Sequence, residues 1–184
     1  METGTSRRRA VTLAVVLLAS AGLLHAVAVD RQAEQKETLP GAQNYTRVDA
    51  TVACGGATSA EAFPELKRQG FASVINLRQS SEPGVAEEAA LVETAGLEYI
   101  HLPLDAGAPD PAVVDKFLSA VADESNQPVY IHCASANRVG AVWAIKRVLQ
   151  DDWALDKALA EADAIGLRSP QLREFATEYI KTHR

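Results

Sequence analysis

Metal-ligand and disulfide patterns are missing from this sequence. It has two cysteines, Cys54 and Cys133, and four histidines, with no CxxC pair and no histidine cluster. That excludes a disulfide framework and the common zinc-site spacings, and nothing else in the chain calls for a metal or other cofactor. Internal repeats and low-complexity tracts are also lacking, which sets aside solenoids and arrays. A basic excess is absent too: 18 Lys and Arg face 24 Asp and Glu, a formal net charge of −6. With a pI near 5.2, the chain has the wrong sign for a nucleic-acid surface.

Charge is missing altogether from one long stretch. Ala10 to Val29 holds no Asp, Glu, Lys or Arg, and Arg7, Arg8 and Arg9 stand just before it. A basic segment followed by an apolar one is the pattern of a signal peptide, and Ala26-Val27-Ala28 supplies a small-x-small cleavage site. Residues 1–28 therefore read as a signal peptide. The run 10–29 is also long enough, at about 20 residues, to attach the chain to a membrane as an uncleaved anchor. Either reading exports the domain, to be periplasmic, secreted or membrane-anchored. Residues 29–44 are polar, end near Pro40-Gly41 and read as a linker. Residues 45–184 are left as one domain, long enough to bury a proper core.

Within that domain, short apolar runs alternate with helical patterns. Tyr45 to Ala53, Phe71 to Leu77, Leu97 to Leu102 and Val129 to Cys133 read as strands. Helices are expected up to Gln69, over Val85 to Ala95, and from Pro111 to about Glu124. Three more are expected near 139–150, 153–165 and 170–182. Asp110 followed by Pro111 is a good helix start, because the carboxylate caps and the proline has no N–H to satisfy. Strand–helix alternation predicts an α/β fold with a mostly parallel central sheet flanked by helices. Ligands in such sheets sit at the carboxyl ends of the strands. Arg78, Asp105 and Cys133 all fall at or just past those ends.

The most informative stretch is Val129 to Gly140. A β-branched run ends in His132-Cys133, Arg138 follows, and a helical pattern starts directly after it. A lone cysteine also fits a small buried hydrophobe, and His132 also fits a packed strand residue. The strand–Cys–loop–Arg–helix order favours a functional loop. Its amides and the helix N-terminus form an anion-holding concavity that favours a thiolate, and Arg138 offers a rigid fork for two oxygens of an oxyanion. A thiolate on the floor of such a cradle suits a cysteine phosphatase or a sulfurtransferase. Cys54 ends the first strand, near enough to the same sheet edge for a Cys54–Cys133 disulfide to be considered.

Several stretches together resemble dual-specificity-type cysteine phosphatases: Val74-Ile75-Asn76-Leu77-Arg78, Glu87-Glu88, Gly96-Leu97-Glu98-Tyr99, His101-Leu102-Pro103-Leu104 and the His132-Cys133 loop. They look most like the bacterial phosphatase-like domains of β-lactamase-hydrolase-like proteins and of fused phosphatase/NAD-kinase-like proteins. The resemblance covers about residues 45–150. It implies phosphomonoester hydrolysis through a phosphocysteine, without a metal, on a phosphorylated small molecule or protein. Cys133 would be the nucleophile. Arg138 and the backbone of Ala134, Ser135, Ala136 and Asn137 would bind the phosphoryl oxygens. Asp105 or Asp110 would protonate the leaving oxygen, with Asp110 also explained as a helix cap. Arg78 would line the pocket, or else form a surface salt bridge.

Three departures from the family pattern stand out. Only four residues separate Cys133 from Arg138, where the usual phosphatase loop has five. Ala136 stands where glycine is usual, and Val139 where a serine or threonine helps the thiolate leave. The short loop is also the size found in rhodanese-like sulfurtransferases. The alternatives are thus persulfide-based sulfur transfer and a catalytically silent module that binds anions or a partner.

Overall fold

The computed structural model describes Met1 and residues 38–184. The expected signal peptide or anchor, and the expected linker as far as residue 37, lie outside the described residues. From residue 38 the chain is seated on the domain: Leu39 is buried, and Ala42 bridges to Thr58. Among the described residues, no helix is long and apolar enough to cross a membrane.

Five strands form one sheet: β1 (Thr46–Arg47), β2 (Val52–Gly55), β3 (Ser73–Asn76), β4 (Glu98–His101) and β5 (Val129–His132). Their order is β1-β2-β5-β3-β4. Only β1 runs antiparallel to its neighbour; β2, β5, β3 and β4 are mutually parallel. The α/β architecture with a mostly parallel sheet is therefore as expected. The single first strand is not. Asp49 breaks it, its Oδ1 accepting from Thr51 N (2.8 Å) and Val52 N (3.0 Å). An aspartate that bonds backbone amides two and three residues ahead closes a turn on itself, so the segment folds back as a hairpin.

Helices α1 (Ala62–Arg68), α2 (Val85–Thr94) and α3 (Pro111–Ala122) fill the crossovers, and α4 (Asn137–Leu149), α5 (Leu155–Ile165) and α6 (Pro170–His183) follow the last strand. The starts of α3 and α6 follow the sequence. Asp110 accepts from Ala112 N and Ser169 from Leu172 N, each with proline next in line.

The period-two alternation of the strands sorts the core into two halves. Ala53, Val74 and Tyr130 pack with Phe63, Leu66, Phe71 and Val92, on the side of α1 and α2. Cys54, Ile75, Ile131 and Cys133 pack with Phe117, Trp143, Ile145 and Ile165, on the side of α3 to α5. By the same alternation His132 and Cys133 face opposite sides of the sheet. Cys54 pairs in register with Ile131, so Cys133 lies one diagonal step away on the same face. That step is about 8 Å between Cα atoms, beyond a disulfide's reach without backbone movement. Both thiols are free, and burial pushes the Cys54 thiol well up from its ordinary value.

Helix α4 is the central helix, buried along almost its whole length from Arg138 to Val148. Its far end is pinned by charge. Arg147 binds Glu161 of α5 through Nε (2.6 Å) and Nη2 (2.9 Å), and Trp143 Nε1 donates to the same carboxylate (2.8 Å). The guanidinium also lies between the Trp143 and Trp153 rings. This joint fixes where α4 points its N-terminus, which is where the loop after β5 ends.

Candidate active site

The carboxyl end of β5, flanked by the ends of β2 and β3, is where the strand order switches. The loop Cys133 to Asn137 leaves the sheet there and runs into α4. The amides of Ala134, Ser135 and Ala136 precede the helix and donate to no described residue, and the first turn of α4 leaves its leading amides unpaired by construction. One short loop thus gathers several free N–H groups above a buried cysteine. The spacing Cys-x4-Arg, read from the sequence, spans this turn.

Ala136 makes the turn by adopting φ 68° and ψ 1°, the left-handed region. Glycine is ordinarily used there, because a Cβ costs about 1 kcal/mol or more. The back of the loop is held by the α5–α6 turn. Asn137 Oδ1 accepts from Arg168 N (2.6 Å) and Ser169 N (2.8 Å), while its Nδ2 donates to Ser135 Oγ (3.1 Å). The Asn137 side chain therefore braces the loop from outside, leaving only its backbone to face an anion. Val139 is buried, and Ser135 Oγ is the hydroxyl that the loop itself carries.

Arg138 reaches back over the loop. Nη1 and Nη2 donate to Glu82 Oε1 (2.6 Å) and Oε2 (3.0 Å), and Nη1 donates also to the carbonyl of Leu104 (3.3 Å). Burial alone would lower the Arg138 pKa. The hydrogen bond to Glu82 and the negative charge of that carboxylate outweigh it and hold the value up. The Arg138 hydrogen bonds pull Glu82 in turn down to about 2. Cys133, fully buried, and Arg138 stand at the two ends of this one loop.

The remaining expected residues fall into two groups. Asp105 Oδ1 accepts from Gly107 N (2.7 Å) and Asp110 Oδ1 from Ala112 N (2.9 Å); both carboxylates are exposed. Asp105 follows Leu104, whose carbonyl touches Arg138, whereas Asp110 serves as the α3 cap. Arg78 sits at the end of β3 as expected, but its guanidinium is turned inward. It contacts Glu82 (3.5 Å), Glu88 (3.7 Å) and the Pro83 carbonyl. Glu88, buried on α2, holds His132 Nε2 at 2.7 Å.

Glu82 is the residue that sequence reasoning missed. It lies in a polar Ser-Glu-Pro-Gly turn, and a pairing across 56 positions leaves no local pattern. A cavity of about 360 Å³ opens beside the loop, lined by Gly41, Ala42, Gln43, Ala57, Thr58 and Ser59. Its Ala57 wall is bonded to the loop through Ala57 N and the Ala134 carbonyl (3.0 Å).

Comparison with known proteins places this geometry. A family model described as DSP-PTPase phosphatase fused to NAD+ kinase matches residues 26–177. A β-lactamase hydrolase-like protein of Xylella fastidiosa is 28% identical over 123 residues, 65% of this chain and 28% of that protein. One from Agrobacterium fabrum is 28% identical over 107 residues, 56% of this chain and 25% of that protein. The chain thus spans about a quarter of the length of these curated relatives. Among solved structures, a putative phosphatase (DUF442) from Shewanella putrefaciens superposes with a TM-score of 0.67 at 22% identity, covering 78% of this chain and 95% of that one. TpbA of P. aeruginosa gives 0.65 at 23% identity, with coverage of 84% and 92%. The catalytic domain of the PP-IP phosphatase SIW14 of S. cerevisiae gives 0.65 at 20% identity, with coverage of 80% and 89%. At these identities the structures speak for the fold alone.

Proposed function

The chain belongs to the phosphatase family described as DSP-PTPase fused to NAD+ kinase, and from that premise we propose that it hydrolyses phosphomonoesters through a phosphocysteine on Cys133, as a tyrosine- or dual-specificity-type phosphatase. The observation that carries this reading is a short loop that starts at the buried Cys133, carries free amides at Ala134, Ser135 and Ala136, and leads into Arg138 in the first turn of α4. The Cys133 thiolate attacks phosphorus while the bond to the leaving oxygen breaks. Arg138 and the amides of Ala134 to Asn137 hold the three non-bridging oxygens, whose charge is greatest in the transition state. Asp105 or Asp110 gives the leaving oxygen its proton. Water then attacks phosphorus and gives a proton to the carboxylate left by the first step, while the S–P bond breaks, freeing phosphate and returning the thiolate; Ser135 Oγ is the hydroxyl that the loop carries. No metal takes part.

The leaving group lies toward the cavity between Gly41–Gln43 and Ala57–Ser59. The substrate is a phosphorylated small molecule or protein. TpbA has been solved with phosphotyrosine bound and SIW14 is a PP-IP phosphatase, so both kinds occur on this fold. The chain is exported by its N-terminal segment, cleaved after about residue 28 or retained as an anchor through residues 10–29. Mass spectrometry of the protein from its native host reads the cleavage; an intact, soluble cytoplasmic chain overturns export.

The test of the chemistry is direct. Residues 30–184 are expected to release phosphate from an activated aryl phosphate in the presence of a chelator, with inhibition by vanadate and no turnover by Cys133→Ser. Thiocyanate formation from thiosulfate and cyanide, without phosphate release, overturns this in favour of sulfur transfer. Vanadate binding with silence in both assays favours a silent binding module.

A further inference from the structure

His132 and Arg138, which bracket the nucleophile loop, are joined by a second route that does not pass through the loop. Arg138 binds Glu82 through both Nη atoms (2.6 and 3.0 Å). Glu82 Oε2 is 3.5 Å from Arg78 Nε, and Arg78 Nη1 is 3.7 Å from Glu88 Oε2. Glu88 Oε1 is 2.7 Å from His132 Nε2, and His132 is bonded covalently to Cys133. The three intermediate residues all come from one segment, 78–88, which crosses the end of the sheet. It has to do so, because His132 faces the α2 side and Cys133 the α4 side. We propose that Arg78, Glu82 and Glu88 are positioning residues: a closed ionic circuit that sets the angle of Arg138 above Cys133. This rests on the phosphatase reading of the site.

An inventory of donors supports it. A guanidinium has five N–H groups. The end-on edge of Arg138, one N–H from each Nη, is taken by Glu82, and the outer Nη1–H is taken by Leu104 O. What remains is the side edge, Nε–H with the second Nη2–H, one complete bidentate face. That free face is what Arg138 has left to offer an anion in the loop it closes. Glu82 therefore does not block the fork; it selects which edge the substrate meets.

The circuit is also internally balanced. Two arginines offset two glutamates, and the side chains of Arg78 and Glu88 are only 11% and 3% exposed. Removing the central member, Arg78, leaves the buried Glu88 carboxylate with His132 alone beside it. Arg78 is itself fixed at the backbone, its N–H donating to Asn76 Oδ1 (2.8 Å) and its carbonyl meeting His101 Nε2 (2.8 Å). The one unpartnered ring nitrogen in the circuit is the buried His132 Nδ1, so Glu88 supplies the side-chain hydrogen bond to this imidazole, which also stacks on Tyr130.

The test uses Glu82→Gln, Glu88→Gln, the double variant and Arg78→Lys in residues 30–184, with melting curves to confirm folding. Glu82 meets Arg138 at one end of the circuit and Glu88 meets His132 at the other, with Arg78 common to both. As part of one device, each single variant is expected to lower kcat for an aryl phosphate between about tenfold and a hundredfold with KM changed much less. The double variant is expected to fall clearly short of the product of the two losses. Arg78→Lys, which keeps the charge but cannot bridge both carboxylates, is expected to behave like the double variant. Folded variants with kcat within about twofold of the parent, or strictly multiplicative losses, overturn the circuit. Vanadate affinity by calorimetry separates this from the phosphatase reading. A parent that binds vanadate without turnover overturns catalysis and leaves the circuit to be judged by the same non-additivity in vanadate affinity. A parent that binds no vanadate overturns both.

Discussion

The methyl group of Ala136 sits where Gly166 has nothing. A Cβ built on Gly166 would come within 2.8 Å of Ala136 Cβ and 3.3 Å of the Ser135 carbonyl. The loop accepts an alanine at its left-handed position because the α5–α6 turn gives up a side chain opposite it. This exchange ties the shape of the Cys133–Asn137 loop to a turn some thirty residues away.

Gly166→Ala is therefore expected to destabilise the fold by about 2 kcal/mol, from the overlap and from a Cβ at φ 150°. Ala136→Gly alone is expected to be near neutral. Relief of the left-handed strain, about 1 kcal/mol, is offset by a more flexible unfolded chain and a lost methyl contact. In the Gly166→Ala background the same change should recover roughly half the loss, since it removes the nearest clashing atom. Urea unfolding of the four proteins measures this; simple additivity would mean the two sites do not meet as described.

Glu82 gives a pH signature. The Arg138 hydrogen bonds hold its carboxyl down at about 2, against 4.5 in the unfolded chain. A depressed carboxyl stabilises the fold above the unfolded value and loses that stabilisation as pH falls through the folded one. The full shift would correspond to about 3 kcal/mol at neutral pH, and solvent contact at Glu82 reduces it. The melting-temperature gap between the parent and Glu82→Gln should be widest above about pH 5 and close between about pH 4.5 and 2. A gap independent of pH would mean that the carboxylate charge is not what Arg138 holds.

Local patterns in the chain foretold the parts of the fold that are local. The β5–loop–α4 unit was legible because an apolar run, a Cys, an Arg and a helical period follow one another within a score of residues. Asp110-Pro111 announced α3, and the structure uses both. The hairpin at Asp49 was not legible, since the turn rests on one side chain bonding amides ahead of it inside a loosely alternating run. Arg78 was placed correctly at a strand end. Its inward engagement depends on Glu82 and Glu88, which the loop and α2 supply from three dimensions. Glu82 gives no signal in the sequence for the same reason: an ion pair has no periodicity.

The last prediction separates the two candidate acids. Asp110 has a structural task that any assay will register: capping Ala112 N (2.9 Å). Asp110→Ala is expected to cost about 1 kcal/mol of stability, whatever it does to turnover. Asp105 closes only a short turn onto Gly107 N (2.7 Å), and Gln171 Nε2 pins that turn by donating to the Gly107 carbonyl (2.7 Å). Its neighbour Leu104 touches Arg138 through the backbone, so Asp105 is one residue from the site while Asp110 stands at the head of a helix. A leaving oxygen with a high pKa needs a proton in the transition state, and an activated aryl oxide does not. Asp105→Asn should therefore slow an alkyl phosphate by about a hundredfold or more while slowing an activated aryl phosphate by less than about tenfold. Asp110→Asn, which keeps an oxygen for the cap, should change both substrates equally and little. The reverse ranking would transfer the acid role to Asp110 and make its helix cap a second use of the same carboxylate. Equal and large losses for both substrates in Asp105→Asn would instead show that the turn positions Arg138 through Leu104 and delivers no proton.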